Sequence, residues 1–264
     1  MNDPRIPPEA APAAQPPTPQ TPTPQTPPTP EPPDFLPGRL VDLLIRPTRL
    51  MAHVARRPCW WQVGLLLLIL NGVATTWVTP IMVAEMREDI ASRTLPGGLD
   101  GEALLRELDQ TSEAVAENKL GAVLGNGLQT WAMTILLSLM LYFFARLAEG
   151  QGRIPQAMGI VHWAALIPYG LGTLIRLPLV MLTGQHTRVT FSAAAFLPEE
   201  MVGGRLFTFL SFLTEVTHWW GLVVIIIGFE RIFGMRRQAA ALSVVLPWAL
   251  ATTAMAAFRA LFGV

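Results

Sequence analysis

The chain has 264 residues, of which 51% are hydrophobic and 14% are charged, and its mean hydropathy is +0.40. Soluble domains carry about 25% charged residues, so this composition excludes an ordinary soluble domain and predicts a protein that crosses a membrane several times. The formal net charge is zero, which argues against nucleic-acid binding, because proteins that bind phosphate backbones concentrate basic residues on one face.

Residue usage also bears on compartment and chemistry. Lys119 is the sole lysine among 19 basic residues, and an arginine bias with abundant Ala and Pro is typical of a GC-rich bacterial genome, which favours a bacterial inner membrane. Cys59 is the sole cysteine, so an intrachain disulfide is excluded. No Cys/His cluster has metal-ligand spacing, and we expect no cofactor.

Residues 1–34 contain 14 of the 24 prolines, mixed with Thr, Gln, Ala and Glu. Such a segment cannot bury apolar surface, and it is predicted to be a disordered, largely polyproline II tail in the cytoplasm. Its PxxP spacings could dock in an aromatic groove, although a simple spacer is the favoured interpretation.

Residues 35–59 are predicted to form a basic amphipathic segment at the membrane surface. On a helical wheel one arc is apolar and the opposite arc is basic, and Pro47 is expected to break the helix or start a second one. The apolar arc contains Leu40, Leu43, Leu44, Pro47, Leu50, Met51 and Val54, and the arginines are Arg39, Arg46, Arg49, Arg56 and Arg57. These five arginines suit anionic lipid head groups, although the segment could equally be a basic flank that orients the first span.

Residues 60–264 are predicted to form an all-α bundle of five transmembrane helices. The expected spans are residues 60–84, 121–145, 157–182, 206–229 and 239–262, each long enough to cross the hydrocarbon core. The acidic loop between the first two spans should hold a short amphipathic helix carrying Leu104, Leu105, Leu108 and Val115. A short turn at residues 146–156 predicts an antiparallel hairpin of spans two and three.

Two further features shape the predicted bundle. Pro168 and Pro178 lie in span three, which should therefore be bent or broken. The orientation is predicted from the rule that cytoplasmic segments carry more basic residues than the opposite side. If the N-terminus lies in the cytoplasm, the cytoplasmic segments hold ten arginines and the opposite side holds six basic residues. The C-terminus is then predicted to lie outside.

The order of several short motifs resembles the Yip-one domain family of Ypt/Rab-interacting integral membrane proteins, in its bacterial form. The resemblance starts at RLVDLLIRPTRLMAHVARRPCWW and continues through LAEGQGRIPQAMGIVHWAALIPYGLG and the fourth span. Its residues are Gly152, Ala164, Ala165, Pro168 and Gly170, followed by Glu215, Trp219, Gly228 and Phe233. The resemblance covers about residues 35–262. It implies a five-helix fold, a cytoplasmic N-terminus and a non-enzymatic role, which in eukaryotic members concerns vesicle trafficking and membrane shape.

Polar residues inside the predicted spans are the candidate site. Glu215 and His218 lie one turn apart on span four, and a Glu-x-x-His pair is half of a di-metal carboxylate site. No other span supplies a carboxylate, so metal binding is disfavoured. From their depths, Arg176 and Glu215 are predicted to form a buried pair assisted by Gln129, with Arg176 reaching to the interface as the alternative. No catalytic motif is present, so we predict no enzyme.

Two functional hypotheses follow from the sequence. The favoured one is a membrane scaffold, adaptor or membrane-organising protein, with lipid and unidentified protein partners. The alternative is a small transporter or channel that uses Arg176 and Glu215. Five spans do not divide into two equal halves, which argues against a transporter built from repeats. A homo-oligomer stays open under either hypothesis.

Overall fold

A computed structural model describes residues 36–92, 101–202 and 204–262, and this part of the chain is helical, with no strand. The tail at residues 1–34 lies outside the described residues. The α-helices, in chain order, are α1 (Leu36–Ile45), α2 (Pro47–Arg56), α3 (Trp60–Ser92), α4 (Gly101–Glu117), α5 (Lys119–Leu147), α6 (Ile154–Leu166), α7 (Thr173–Thr183), α8 (Arg205–Thr214), α9 (Val216–Ile232) and α10 (Arg237–Phe262). A π-helical segment, Ile167–Gly172, joins α6 to α7, and two short 3₁₀ helices lie between α7 and α8.

Four helical segments of the described residues are long and apolar enough to cross a membrane. They are Trp60–Glu88, Lys119–Leu147, Ile154–Thr183 and Leu206–Ile232. The prediction of an all-α bundle is therefore confirmed, whereas five spans were predicted and four meet this criterion. α10 is a helix at the place predicted for the fifth span, but the side chains of its last residues lie outside the description. A crossing by α10 stays a prediction.

The chain runs back and forth between two ends of the bundle. The α2 end carries α1, α2, the turn after α5 and the turn after α9, while the α4 end carries α4 and the connection of residues 184–204. The turn after α5 is held by the Arg146 guanidinium, which donates to Gly150 O at 2.7 Å, and by Gln151 N, which donates to Phe233 O at 3.0 Å. Spans two and three therefore form the expected antiparallel hairpin.

Close packing of α3 on α5 depends on glycines. A Cβ on Gly72 would lie 2.2 Å from Val123 O, and one on Gly127 would lie 2.2 Å from Leu68 O. Small residues let transmembrane helices approach until their backbones touch, which increases dispersion contacts where no hydrophobic effect drives association. These two glycines therefore fix the distance between the first two spans.

Pro47 starts α2 as predicted, because a proline at the first helical position loses no hydrogen bond and already has a helical φ. Part of the apolar arc that was expected to face lipid packs inside the bundle instead, while Leu44 of the same arc is exposed. Leu43, Leu50, Met51 and Val54 are at most 1% exposed in the hydrophobic core. Gly159 and Gly228 make room for them: a Cβ there would lie 2.8 Å from Val54 and 3.0 Å from Met51 Sδ, respectively.

Span three is distorted at Pro168 but not at Pro178. The described backbone widens into a π-helical turn around Pro168, whereas α7 passes through Pro178 without a break. A proline has no N–H and its ring displaces the preceding turn, and a π turn accommodates both effects. The predicted bend therefore belongs to the first proline alone.

Candidate functional site

The fourth span is broken about a third of the way from its N-terminal end, at Glu215. α8 ends at Thr214 and α9 starts at Val216, and Glu215 between them has an extended conformation, with φ −62° and ψ 113°. The continuous helix predicted for this span is therefore wrong. Neither Gly nor Pro occurs at the break, and its stability must come from tertiary contacts. Glu215 itself is only 4% exposed.

Both carboxylate oxygens of Glu215 are engaged. Arg176 Nη2 donates to Oε1 at 2.8 Å and Thr217 Oγ1 lies 3.3 Å from the same oxygen. Thr190 Oγ1 lies 3.2 Å from Oε2 and 2.9 Å from Ser192 Oγ. A hydroxyl carries one proton, so if Thr190 donates to the carboxylate, the Thr190 oxygen accepts the hydrogen bond from the Ser192 hydroxyl. One cation and two hydroxyls therefore stabilise a carboxylate that would otherwise be costly inside a bilayer.

The backbone groups freed by the break have partners in the surrounding side chains and connection. Trp219 Nε1 donates to Leu213 O at 2.6 Å, and Val216 N donates to Phe191 O at 3.2 Å. Thr214 Oγ1 also donates to a carbonyl, Leu210 O, at 2.7 Å, and accepts from the backbone N of Ala193 at 2.8 Å. Irregular backbone at membrane depth is tolerated where protein groups satisfy it, and this condition is met here.

Arg176 is held from two sides. Its guanidinium carbon lies 5.5 Å from the centroid of the Phe191 ring, within the range of a cation–π contact, while Nη2 is bound to Glu215. The side chain is 32% exposed at the surface of the bundle. Because Phe191 belongs to the connection of residues 184–204, that connection and α7 together position the guanidinium against the break.

The other two members of the predicted cluster lie differently. The His218 ring packs between Phe212, at 5.8 Å between centroids, and Tyr169, at 6.1 Å, while its backbone N donates to Glu215 O at 3.1 Å. Gln129 is exposed on α5, and the described contacts of Arg176 and Glu215 do not include it. Threonines, rather than an amide, provide the polar support. Among the described residues no group of three His, Cys, Asp or Glu side chains could hold a metal ion.

The connection is tied to α3 at the α4 end. Glu85 Oε2 accepts from Thr187 N at 3.0 Å and from Thr187 Oγ1 at 2.8 Å. His186 lies beside these residues, outside the spans, and burial lowers its pKa, with a smaller opposing effect from Glu85 and a further lowering by Arg176. The lower pKa favours the neutral imidazole at neutral pH.

A second buried polar contact, between Trp131 and His162, lies in the half of the bundle nearer α2. Trp131 Nε1 donates to His162 Nε2 at 3.1 Å, and His162 Nδ1 lies 2.8 Å from Met158 O. Both contacts are satisfied by the neutral tautomer with its proton on Nδ1. Trp60 packs edge-on against the same imidazole at 5.7 Å between centroids. His162 is fully buried, so it is a core residue rather than one at the interface.

The predicted membrane-surface arginines lie around the outside of α1 and α2. Arg46, Arg49, Arg56 and Arg57 are exposed, and Arg39 is half-buried. Arg49 Nε lies 3.6 Å from Asp42 Oδ2. The apolar side of α2 is buried in the bundle, whereas Val41, Leu44 and Ile45 of α1 are exposed, so the arginines of α2 are the ones presented at fixed positions. We call α1 and α2, residues 36–56, the platform.

Several residues that carry the family resemblance contact one another. A Cβ on Gly152 would lie 2.3 Å from the Phe233 ring, so this loop glycine is where the turn after α5 meets the turn after α9. Gly228 packs almost as closely, since a Cβ there would lie 2.5 Å from the Ile160 side chain, and Trp219 closes the break. These short motifs therefore include several close contacts of the bundle.

Comparison with known proteins identifies the family of the chain. The family model of the Yip1 domain matches residues 41–258 of the chain. Searches of curated proteins and of solved structures found no match to the chain. The matched range includes α2, every membrane-crossing segment and the broken fourth span. The chain is a multi-pass membrane protein and belongs to the Yip1 domain family.

Proposed function

We propose that this protein is a non-enzymatic scaffold or adaptor of the membrane, in which the platform forms a fixed basic surface on the cytoplasmic side. The observation that carries the proposal is the burial of the platform's apolar face, where Leu43, Leu50, Met51 and Val54 are at most 1% exposed. An amphipathic helix that only binds lipid keeps its apolar face for the bilayer. Here the apolar face of α2, together with Leu43 of α1, belongs to the bundle core, so the basic face of α2 keeps one orientation.

Charge supports the same placement. The exposed arginines of the platform share the α2 end with Arg153, Arg236 and Arg237, which are also exposed. Basic residues beside membrane spans favour the cytoplasmic side, and each one near an anionic surface contributes about 1 kcal/mol of attraction. We therefore place the N-terminus in the cytoplasm and, if α10 crosses, the C-terminus outside, with anionic head groups and proteins as partners.

A transporter is the second candidate, and the broken fourth span favours it. Discontinuous helices with charged residues at the break form the substrate and ion sites of many transporters. In that case Arg176 and Glu215 would face the transported solute, and reconstituted protein would show flux that Arg176→Gln abolishes. A scaffold shows no such flux, so a proteoliposome assay separates the two candidates.

Site-specific photo-crosslinking in cell membranes tests the scaffold directly. A photoreactive residue replaces Arg49 on the platform, and a matched one replaces the exposed Glu113 on α4 as a control. We expect the same protein partner to be captured repeatedly from position 49 but not from position 113. Capture should fall when Arg46 and Arg57 are changed to Glu in protein that inserts at the normal level. Absence of any protein partner at position 49, together with solute flux, would establish the transporter instead.

A further inference from the structure

A cavity of about 190 Å³ lies between α3 and α7, next to the ion pair of Arg176 and Glu215, and its mostly apolar surface carries one polar wall. Asn71, Thr75 and Thr79 line it from α3, Arg176 lines it from α7, and His186 of the connection lines it at the α4 end. The three α3 residues are four positions apart, so they form one stripe about 12 Å long on a single helix face.

The threonines of the stripe present acceptors to the cavity, because their hydroxyl protons are used within α3. Thr75 Oγ1 donates to Asn71 Oδ1 at 2.9 Å, and Thr79 Oγ1 donates to Thr75 O at 2.8 Å. Asn71 Nδ2 donates to Thr130 Oγ1 at 2.9 Å. Each hydroxyl keeps lone pairs and the amide keeps a second N–H, so the wall can both accept and donate hydrogen bonds.

Arg176 supplies further donors to the same space. A guanidinium has five N–H groups, and within the described part of the chain the bond from Nη2 to Glu215 engages one of them. Its Nε is buried and has no hydrogen-bond partner among the described residues. An unsatisfied buried donor costs about 1–3 kcal/mol, which a ligand acceptor in the cavity would recover.

The charges around the cavity select against ions. The charge of Arg176 is balanced by Glu215 at 2.8 Å, so a bound anion would gain little electrostatic attraction. The nearby carboxylates of Glu215 and Glu85 would also repel it. A cation meets the guanidinium. Toward the α2 end, Leu67 and Val63 on the same helix are buried in the apolar core, so the polar wall ends at Asn71.

We propose that this cavity is a binding site for a small uncharged molecule with hydroxyl or amide groups, of the size of a short polyol. Asn71 and Arg176 donate to it, and Thr75 and Thr79 accept from it. The volume is adequate, because one water molecule occupies about 30 Å³ of liquid and a short polyol replaces a few of them. The proposal is independent of the scaffold function, since a site closed at its inner end requires no flux.

Cysteine protection in nanodiscs tests the site. Thr79→Cys in a Cys59→Ser background is treated with a water-soluble thiol reagent, with Thr134→Cys, a buried threonine of α5 outside the cavity, as the matched control. Protection by erythritol is compared with protection by choline chloride and by sodium sulfate at equal osmolality. We expect Thr79→Cys to react at least tenfold faster than the control, and erythritol alone to slow it.

A second variant tests the hydrogen bonds. Thr75→Val keeps the shape of the wall but removes one acceptor and the hydrogen bond from Thr75 to Asn71, and it should weaken protection by erythritol about fivefold, the equivalent of one hydrogen bond. Met82→Cys, which also lines the cavity, replaces Thr79→Cys if the latter fails to fold. The proposal is overturned if the lining cysteines react no faster than the control, or if all three solutes slow labelling equally.

Discussion

Replacing Glu215 by Gln is the most informative perturbation of the fold. The change keeps the size of the side chain and its capacity to accept one hydrogen bond, but it removes the countercharge of Arg176, whose Nη2 lies 2.8 Å from the carboxylate. The guanidinium then stays beside the helix break without a partner of opposite charge. We expect a clear loss of stability.

The magnitude follows from burial. Breaking a fully buried ion pair costs about 3–5 kcal/mol. Arg176 is 32% exposed rather than fully buried, so Glu215→Gln should cost less, about 2–3 kcal/mol. Arg176→Gln leaves the carboxylate of Glu215, which is 5% exposed, with threonine hydroxyls alone, and should cost about 3–4 kcal/mol.

The double variant decides whether the pair acts as a pair. Without either charge the break retains neutral hydrogen bonds, and we expect a total loss of about 2–3 kcal/mol rather than the sum of the two single losses. The free energy of unfolding is measured by denaturant titration in bicelles. Glu199→Gln is the control, because Glu199 pairs with Arg188 while 78% exposed, and its loss should stay below about 0.5 kcal/mol. Strictly additive losses in the double variant would refute the contact.

Three further predictions concern other parts of the chain. Deleting residues 1–34 should leave insertion and stability unchanged, because that segment has no apolar pattern with which to join the bundle; loss of folded protein from membranes would contradict this. Gly72→Ala should cost about 1–3 kcal/mol, since its Cβ would clash with Val123 O, while Gly125→Ala, with open space around it, should be neutral or slightly stabilising in the same titration. Acidification below pH 6.5 should destabilise the α4 end. The pKa of His186 is lowered in the folded protein and returns to its ordinary value of 6.5 on unfolding, so the unfolded state binds the extra proton. The stability that the neutral imidazole contributes is complete above pH 6.5 and is lost as the pH falls toward the folded pKa. His186→Gln should remove this dependence in hydrogen exchange, and an unchanged pH profile would argue against the buried neutral imidazole.

Local signals predicted most of the helices. Long apolar runs, the proline at the start of α2 and the acidic amphipathic stretch each depend on residues close in sequence, and helices formed at all of these places. The depth of Arg176 and Glu215, obtained from the rise per residue, also predicted their proximity. Helical periodicity is a local property, so sequence patterns capture it well.

The break at Glu215 could not be read from its neighbours. Its backbone and carboxylate are stabilised by Thr190, Phe191 and Trp219, and no local proline or glycine announces it. A carboxylate in an apolar run was the only signal, and it indicates a partner rather than a broken helix. Burial of the platform was missed for the same reason: an amphipathic helix buries its apolar face in lipid or in protein, and the pattern is identical in both cases.

The central claim is that the platform is fixed to the bundle and presents its arginines in one orientation. Nitroxide labels at Ala52, exposed on α2, and at Arg236, exposed after α9, report this directly in a Cys59→Ser background. Pulsed dipolar spectroscopy in nanodiscs containing anionic lipid should give a single narrow distance distribution, unchanged when the anionic lipid is replaced by a neutral one. A broad distribution, or one that narrows only with anionic lipid, would show that the bilayer rather than the bundle holds the platform, and would contradict the account.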